Sequence, residues 1–115
     1  MYELKTEVWA SALIRRASIA GAFAAVVRKG DADAGAVLVK VATLDGKARL
    51  YAPARDGEGE RIWLALSAGS LGDDEADVDA QIRKRAESDP DLWVIEIEDK
   101  YGRHFLMEPV DARPA

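Results

Sequence analysis

Apolar positions recur along this chain with two different periods, and the change from one to the other marks out its elements. From Thr6 and Glu7 onward, Trp9, Leu13, Ala17 and Ala20 stand four, four and three residues apart. That spacing predicts a helix with one apolar stripe, which Gly21 is placed to stop. Arg15 and Arg16 fall off the stripe and are expected in solvent, whereas Trp9 reads as a core anchor. The period then shortens to that of strands. Phe23 to Arg28 is a short β-prone run, and Ala36 to Leu44 is a second. Asp45-Gly46 predicts a two-residue hairpin turn, because its left-handed residues match the twist of paired strands. Such a turn sets Ala42 against Arg49, Val41 against Leu50 and Lys40 against Tyr51. Val37, Val39, Val41, Leu50 and Ala52 then form a core face, and Lys40, Lys47, Arg49 and Tyr51 a wet one.

Pro53 is expected to end that strand, and Arg55 to Gly59 reads as a loop. Arg61 to Leu66 follows as a strand with Ile62, Leu64 and Leu66 on one side and Arg61 and Trp63 on the other. Ser67 to Gly72 is a second loop. A helix is predicted from about Asp74 to Glu87, with acids at its start, Arg83, Lys84 and Arg85 at its end, and Asp89-Pro90 beyond. Its stripe is thin, mainly Val78 and Ile82. Leu92 to Asp99 alternates as a strand, and Lys100-Tyr101-Gly102 fits a three-residue hairpin loop that faces Ile97 with Phe105, Ile95 with Met107 and Glu98 with His104. Together these elements describe one domain over residues 1–115, with 110–115 as a frayed tail. Its class is α+β, with a mainly antiparallel sheet of about five or six strands and two helices packed over one face.

Composition narrows the chemistry. The 115 residues are 49% hydrophobic and 32% charged, a globular mixture, and contain no cysteine. Disulfides, thiolate nucleophiles and Cys-based zinc sites are thereby excluded. The apolar stretch from Val8 to Val27 is broken by Arg15 and Arg16, so it fits neither a membrane span nor a secretory core. A cytoplasmic protein without a membrane partner is expected. The net charge of −5 argues against a general nucleic-acid binder, which needs clustered positive charge. That total conceals an asymmetry, with net +3 over residues 1–50 and net −8 over residues 51–115.

Three strings, Gly30-Asp31-Ala32-Asp33-Ala34-Gly35-Ala36-Val37-Leu38, Ala48-Arg49-Leu50-Tyr51-Ala52-Pro53 and Asp89-Pro90-Asp91-Leu92-Trp93-Val94-Ile95-Glu96-Ile97-Glu98-Asp99, carry a resemblance. The chain resembles, over nearly its whole length, a family of short alphaproteobacterial proteins catalogued only as a domain of unknown function, number fourteen ninety-one. The resemblance implies a bacterial cytoplasmic protein of about this size. It brings no reaction, cofactor or catalytic residue with it.

Candidate sites must therefore be argued from chemistry. Asp31 and Asp33, two apart before Gly35, match part of a calcium loop, but the third oxygen ligand and the later Glu are missing. Turn formation is the better reading of both acids. Glu96 and Glu98 share a strand face, roughly 7 Å apart by Cα, and the expected hairpin brings the single histidine, His104, opposite Glu98. That trio could bind a divalent metal or serve as base and orienting group. Lys40, Lys47, Arg49 and Tyr51 form a small basic patch with one aromatic, and Trp63 is a large aromatic on the non-core side of its strand. The reading that follows is a small cytoplasmic binding or accessory protein without a cofactor, acting through a sheet face or edge, with a second copy or another protein as partner. The alternative is a metal-assisted hydrolase built on Glu96, Glu98 and His104.

Overall fold

The computed structural model describes residues 4–66 and 73–112. Helix α1 (Thr6–Ile19) buries Thr6, Ala10, Leu13 and Ala17, the predicted stripe displaced slightly, and leaves through Gly21. Strands β1 (Phe23–Arg28), β2 (Val37–Ala42), β3 (Lys47–Arg55), β4 (Arg61–Ala65) and the two-residue β5 (Asp73–Asp74) follow. Helix α2 (Glu75–Ser88) lies within one residue of its expected bounds, and β6 (Trp93–Glu98) and β7 (Val110–Ala112) complete the order. The loop expected over Ser67 to Gly72 lies outside the described residues.

The class is α+β, but the sheet is mixed and larger than expected. Among the described residues it has seven strands, in the order β1-β6-β2-β3-β4-β7, with β5 pairing β3. β6 inserts between β1 and β2, antiparallel to the first and parallel to the second, and β7 runs parallel to β4. The final hairpin does not form. β6 already has a neighbour on each side, so residues 103–108 cannot pair with it, and they run instead as irregular chain with Phe105 at φ 61°. Val110 to Ala112, read as part of a frayed tail, are the β7 strand.

The helices also lie on opposite faces rather than one. α1 contributes Ala10 and Leu13 to a core with Val37, Val39, Val41, Trp93, Ile95 and Ile97. α2 contributes Val78, flanked by Ile82 and Ala86, to a second core with Leu38, Ala48, Leu50, Ala52 and Val94. β2 is consequently buried at every position. A strand buried on both sides gives alternation nothing to report, because neither face is wet.

This double burial explains a one-residue slip in the expected hairpin. The observed pairs are Val39 with Tyr51, Lys40 with Leu50, Val41 with Arg49 and Ala42 with Ala48. Three residues, Leu44 to Gly46, make the turn, and the Thr43 N–H donates to the Lys47 carbonyl at 3.1 Å. The Asp45 carboxylate ties the loop by accepting from the Thr43 hydroxyl and from the Lys47 N–H. Shifting register by one exchanges the faces of the whole strand. Arg49 and Tyr51 therefore sit on the α1 side, and Ala48, Leu50 and Ala52 on the α2 side.

Candidate functional site

Pro53 does not end β3; it ends the pairing of β3 with β2. The Leu66 N–H donates to the Leu50 carbonyl, so Leu50 and Ala52 turn their backbone groups toward β4, and Tyr51 and Pro53 turn theirs toward β2. The Trp63 N–H accordingly ignores Pro53 opposite and donates to Pro109 at 2.9 Å. Lacking an N–H, Pro53 cannot continue the ladder, which stops at Val39 and Tyr51. Beyond that pair the two strands part, and an open groove of about 760 Å³ lies over the gap.

Two indoles form the wall of this groove. Trp9 of α1 stacks on Trp63 of β4 with ring centroids 5.4 Å apart and planes at 25°. Trp63 is buried, and its indole N–H donates to the Glu108 carboxylate at 3.0 Å. Val37, Pro53 and Ile62 add apolar surface, and Lys5, Arg55 and Arg61 bring three cations to the same groove. Asp33 and Glu108 line it as well: Asp33 lies 3.6 Å from Lys5, so those two charges offset each other, Glu108 holds Trp63, and Arg55 donates to the Gly59 carbonyl. Sequence reading assigned Trp9 to the core and passed over Lys5, Arg55 and Arg61. The usable signal was a proline inside an alternating run, with a tryptophan ten residues on.

The loop from Gly30 to Gly35 is a structural junction. Asp31 accepts through one carboxylate oxygen from the N–H groups of Asp33 and Ala34, the turn expected of it. The carbonyls of Ala32 and Asp33 accept the first N–H groups of α1 from Glu7 and Thr6, satisfying donors that every helix start leaves open. The Thr6 hydroxyl donates to Gly35, and the Trp93 indole N–H donates to the Asp31 carbonyl at 2.7 Å. One short loop thus joins α1 to β6. Among the described residues no three His, Asp or Glu side chains are placed to hold a metal.

Glu96, Glu98 and His104 do not converge. Glu96 lies on the α2 side, 3.2 Å from the Lys40 ammonium, and Glu98 shares that face by alternation. His104 packs edge-on against Tyr51, which belongs to the α1 core. Its Nδ1 accepts the Leu106 N–H at 2.9 Å, and burial, then the Arg49 charge, hold the imidazole below its ordinary pKa. With the sheet between acids and imidazole, the geometry gives the hydrolytic reading no support.

The five residues expected to share a wet surface are likewise dispersed. Lys40, 3% exposed, is ringed by Glu75 and Asp79 of α2, each at 2.7 Å, and by Glu96. Burial alone would lower its pKa, and the three carboxylates together override that and raise it. Lys47 pairs with Asp74 at 2.6 Å just before α2. Both lysines therefore fasten α2 to the sheet. Arg49 donates to the Gly102 carbonyl at 3.3 Å, and Tyr51 is buried against His104, so those two seat the segment after β6. Trp63 alone of the five lines the groove.

No helix among the described residues is long and apolar enough to cross a membrane. The family described as "Protein of unknown function (DUF1491)" matches residues 4–107. The chain is similar to a DUF1491 family protein from Caulobacter crescentus CB15 in its crystal structure, with 54% identity over 95% of this chain and 100% of that one, TM-score 0.87. An NMR structure of a DUF1491 family protein from the same organism gives 53% identity over 96% and 99% of the two chains, TM-score 0.83. A solution structure of an A. tumefaciens protein gives 34% identity over 99% and 100%, TM-score 0.78. No curated protein matches the chain.

Proposed function

The chain belongs to the DUF1491 family, whose description assigns no reaction, and from that premise we propose that it is a small cytoplasmic binding or accessory protein. Its ligand is an extended polypeptide segment, held in the groove where β2 and β3 part. The observation that carries this reading is the Trp9–Trp63 stack beside a strand, β3, that among the described residues has no partner on its β2 side beyond Tyr51. Extended peptides bind such sites by laying backbone along the strand and side chains on the apolar wall. Trp9, half-buried and backed by the buried Trp63, supplies a rigid aromatic contact at little entropic cost.

The test is selection of a random-peptide display library on the folded chain, followed by titration of the enriched peptides against ¹⁵N-labelled protein. Peptides that shift the Trp9 and Trp63 indole signals, and bind at least about tenfold more weakly to a folded Trp9→Ala variant, are the expected result. Enrichment that is equal on a folded Trp9→Ala variant would overturn the proposal.

A further inference from the structure

Strand β1 is an edge of the sheet, and among the described residues no strand pairs with its outer side. The Trp93 N–H donates to Ala36 and the Asp99 N–H to Ala42, so the odd residues of β6 bond toward β2 and the even ones toward β1. Phe23 and Ala25, opposite Glu98 and Glu96, therefore turn their backbone groups inward. Ala24 and Val26 turn theirs outward, away from β6. The side chains around this edge are apolar and exposed: Ile19 77%, Phe23 61%, Val27 57% and Val26 39%. Four of the nine exposed large apolar residues among the described ones thus fall within nine positions of sequence. Natural edges are normally blunted by charge, proline or a bulge. Here the register shifts between Val26 and Arg28, and charge begins only at Arg28 and Lys29.

We propose that this edge is the contact between two copies of the chain, paired antiparallel about a two-fold axis through Ala25. The outward groups fix the register. Ala24 of one copy exchanges both backbone hydrogen bonds with Val26 of the other, and the reverse pair repeats them, giving four bonds across the axis. Phe23 then covers Val27 of the second copy at each end, and two Ala25 methyl groups meet at the centre, where a larger side chain would hold the strands apart. The six-residue run is therefore complementary to itself, as an isologous interface requires. Charge does not oppose this pairing: Arg28 of one copy comes opposite Ala22 of the other, and its guanidinium turns back to the Leu92 and Pro90 carbonyls of its own subunit.

Sedimentation of the full chain from about 1 µM to about 1 mM tests the proposal. The expected result is a monomer–dimer equilibrium that Val26→Pro weakens at least about tenfold. The Val26 N–H points away from β6, so proline there removes no hydrogen bond of the subunit itself. Phe23→Lys, which keeps the backbone intact, should weaken association comparably, while Leu44→Ser, at an exposed apolar position in the turn between β2 and β3, should leave it unchanged. A monomer throughout that range would overturn the proposal, as would a dimer that both folded edge variants leave intact. Because Trp9 and Trp63 lie outside this edge, loss of dimerisation and loss of peptide binding are separable outcomes.

Discussion

Gly30 lies so close to Asp91 that a β-carbon on residue 30 would meet the Asp91 carbonyl oxygen at 2.0 Å, and one on Gly35 would meet the same oxygen at 2.2 Å. Two glycines five residues apart thus pinch the turn that leads into β6. The atom in the way is backbone, so no side chain can swing aside. Gly30→Ala is expected to cost roughly 3 kcal/mol or more, at or above the top of the usual overpacking range. Urea denaturation checks this, and a midpoint within error of the parent would contradict the close approach.

Lys40→Met should destabilise the fold by roughly 3 kcal/mol, the low end for removing one partner of a buried ion pair. The low end applies because Glu75, Asp79 and Glu96 keep 26–41% side-chain exposure and are partly solvated without their cation. Hydrogen exchange should show the loss concentrated in α2, whose apolar contact rests on Val78 with Ile82 and Ala86. Uniform loss across the sheet would show instead that the lysine does not chiefly anchor α2.

His104 makes stability fall as pH drops below about 6.5, the ordinary imidazole value. The folded pKa is lowered by burial and by Arg49, so the unfolded chain binds the proton first. Protonation therefore favours unfolding, and stability present above pH 6.5 is lost as pH falls through the folded pKa. As the only histidine, His104 is the side chain expected to titrate in this window. His104→Asn, which retains an acceptor for the Leu106 N–H, should flatten the dependence of Tm on pH between about 5.5 and 7. An unaltered slope in that variant would assign the effect elsewhere.

Leu44 occupies the left-handed region at φ 64° although it carries a branched side chain, and its side chain is exposed. Such a conformation costs a non-glycine residue roughly 1–2 kcal/mol. Asparagine tolerates it better, so Leu44→Asn should stabilise the protein by about 1 kcal/mol. A thermal melt that moves down instead would show that the leucine compensates through a contact.

What the residues disclosed followed from how each segment is buried. α2 was legible almost to the residue, because its charges mark both ends and one face is wet. β2 and β3 were recognised as a paired hairpin but set one residue out of register, since Lys40 looks like a solvent residue until three acids from other elements surround it. The parallel pairing of β2 with β6 left no local trace, because the residues that meet are more than fifty positions apart. Trp63 was singled out as a large aromatic off the core side of its strand, whereas Trp9, which stacks on it, was assigned to the core. Helical spacing marks a stripe without saying whether another aromatic lies against it.

The place of β6 at the middle of the sheet sets the timing of folding. Its two neighbours come from the first half of the chain, and neither meets it until residues 93–98 arrive. A growing chain that has reached only α2 therefore holds β1 and β2 apart, with Val39 and Val41 lacking the Ile95 and Ile97 they face in the finished sheet. Closing such distant pairs is slow, and until it happens these valines are open to other chains. This fold closes only when a late strand slides between two early ones, and its exposure to misassembly is greatest while residues 93–98 have yet to be made.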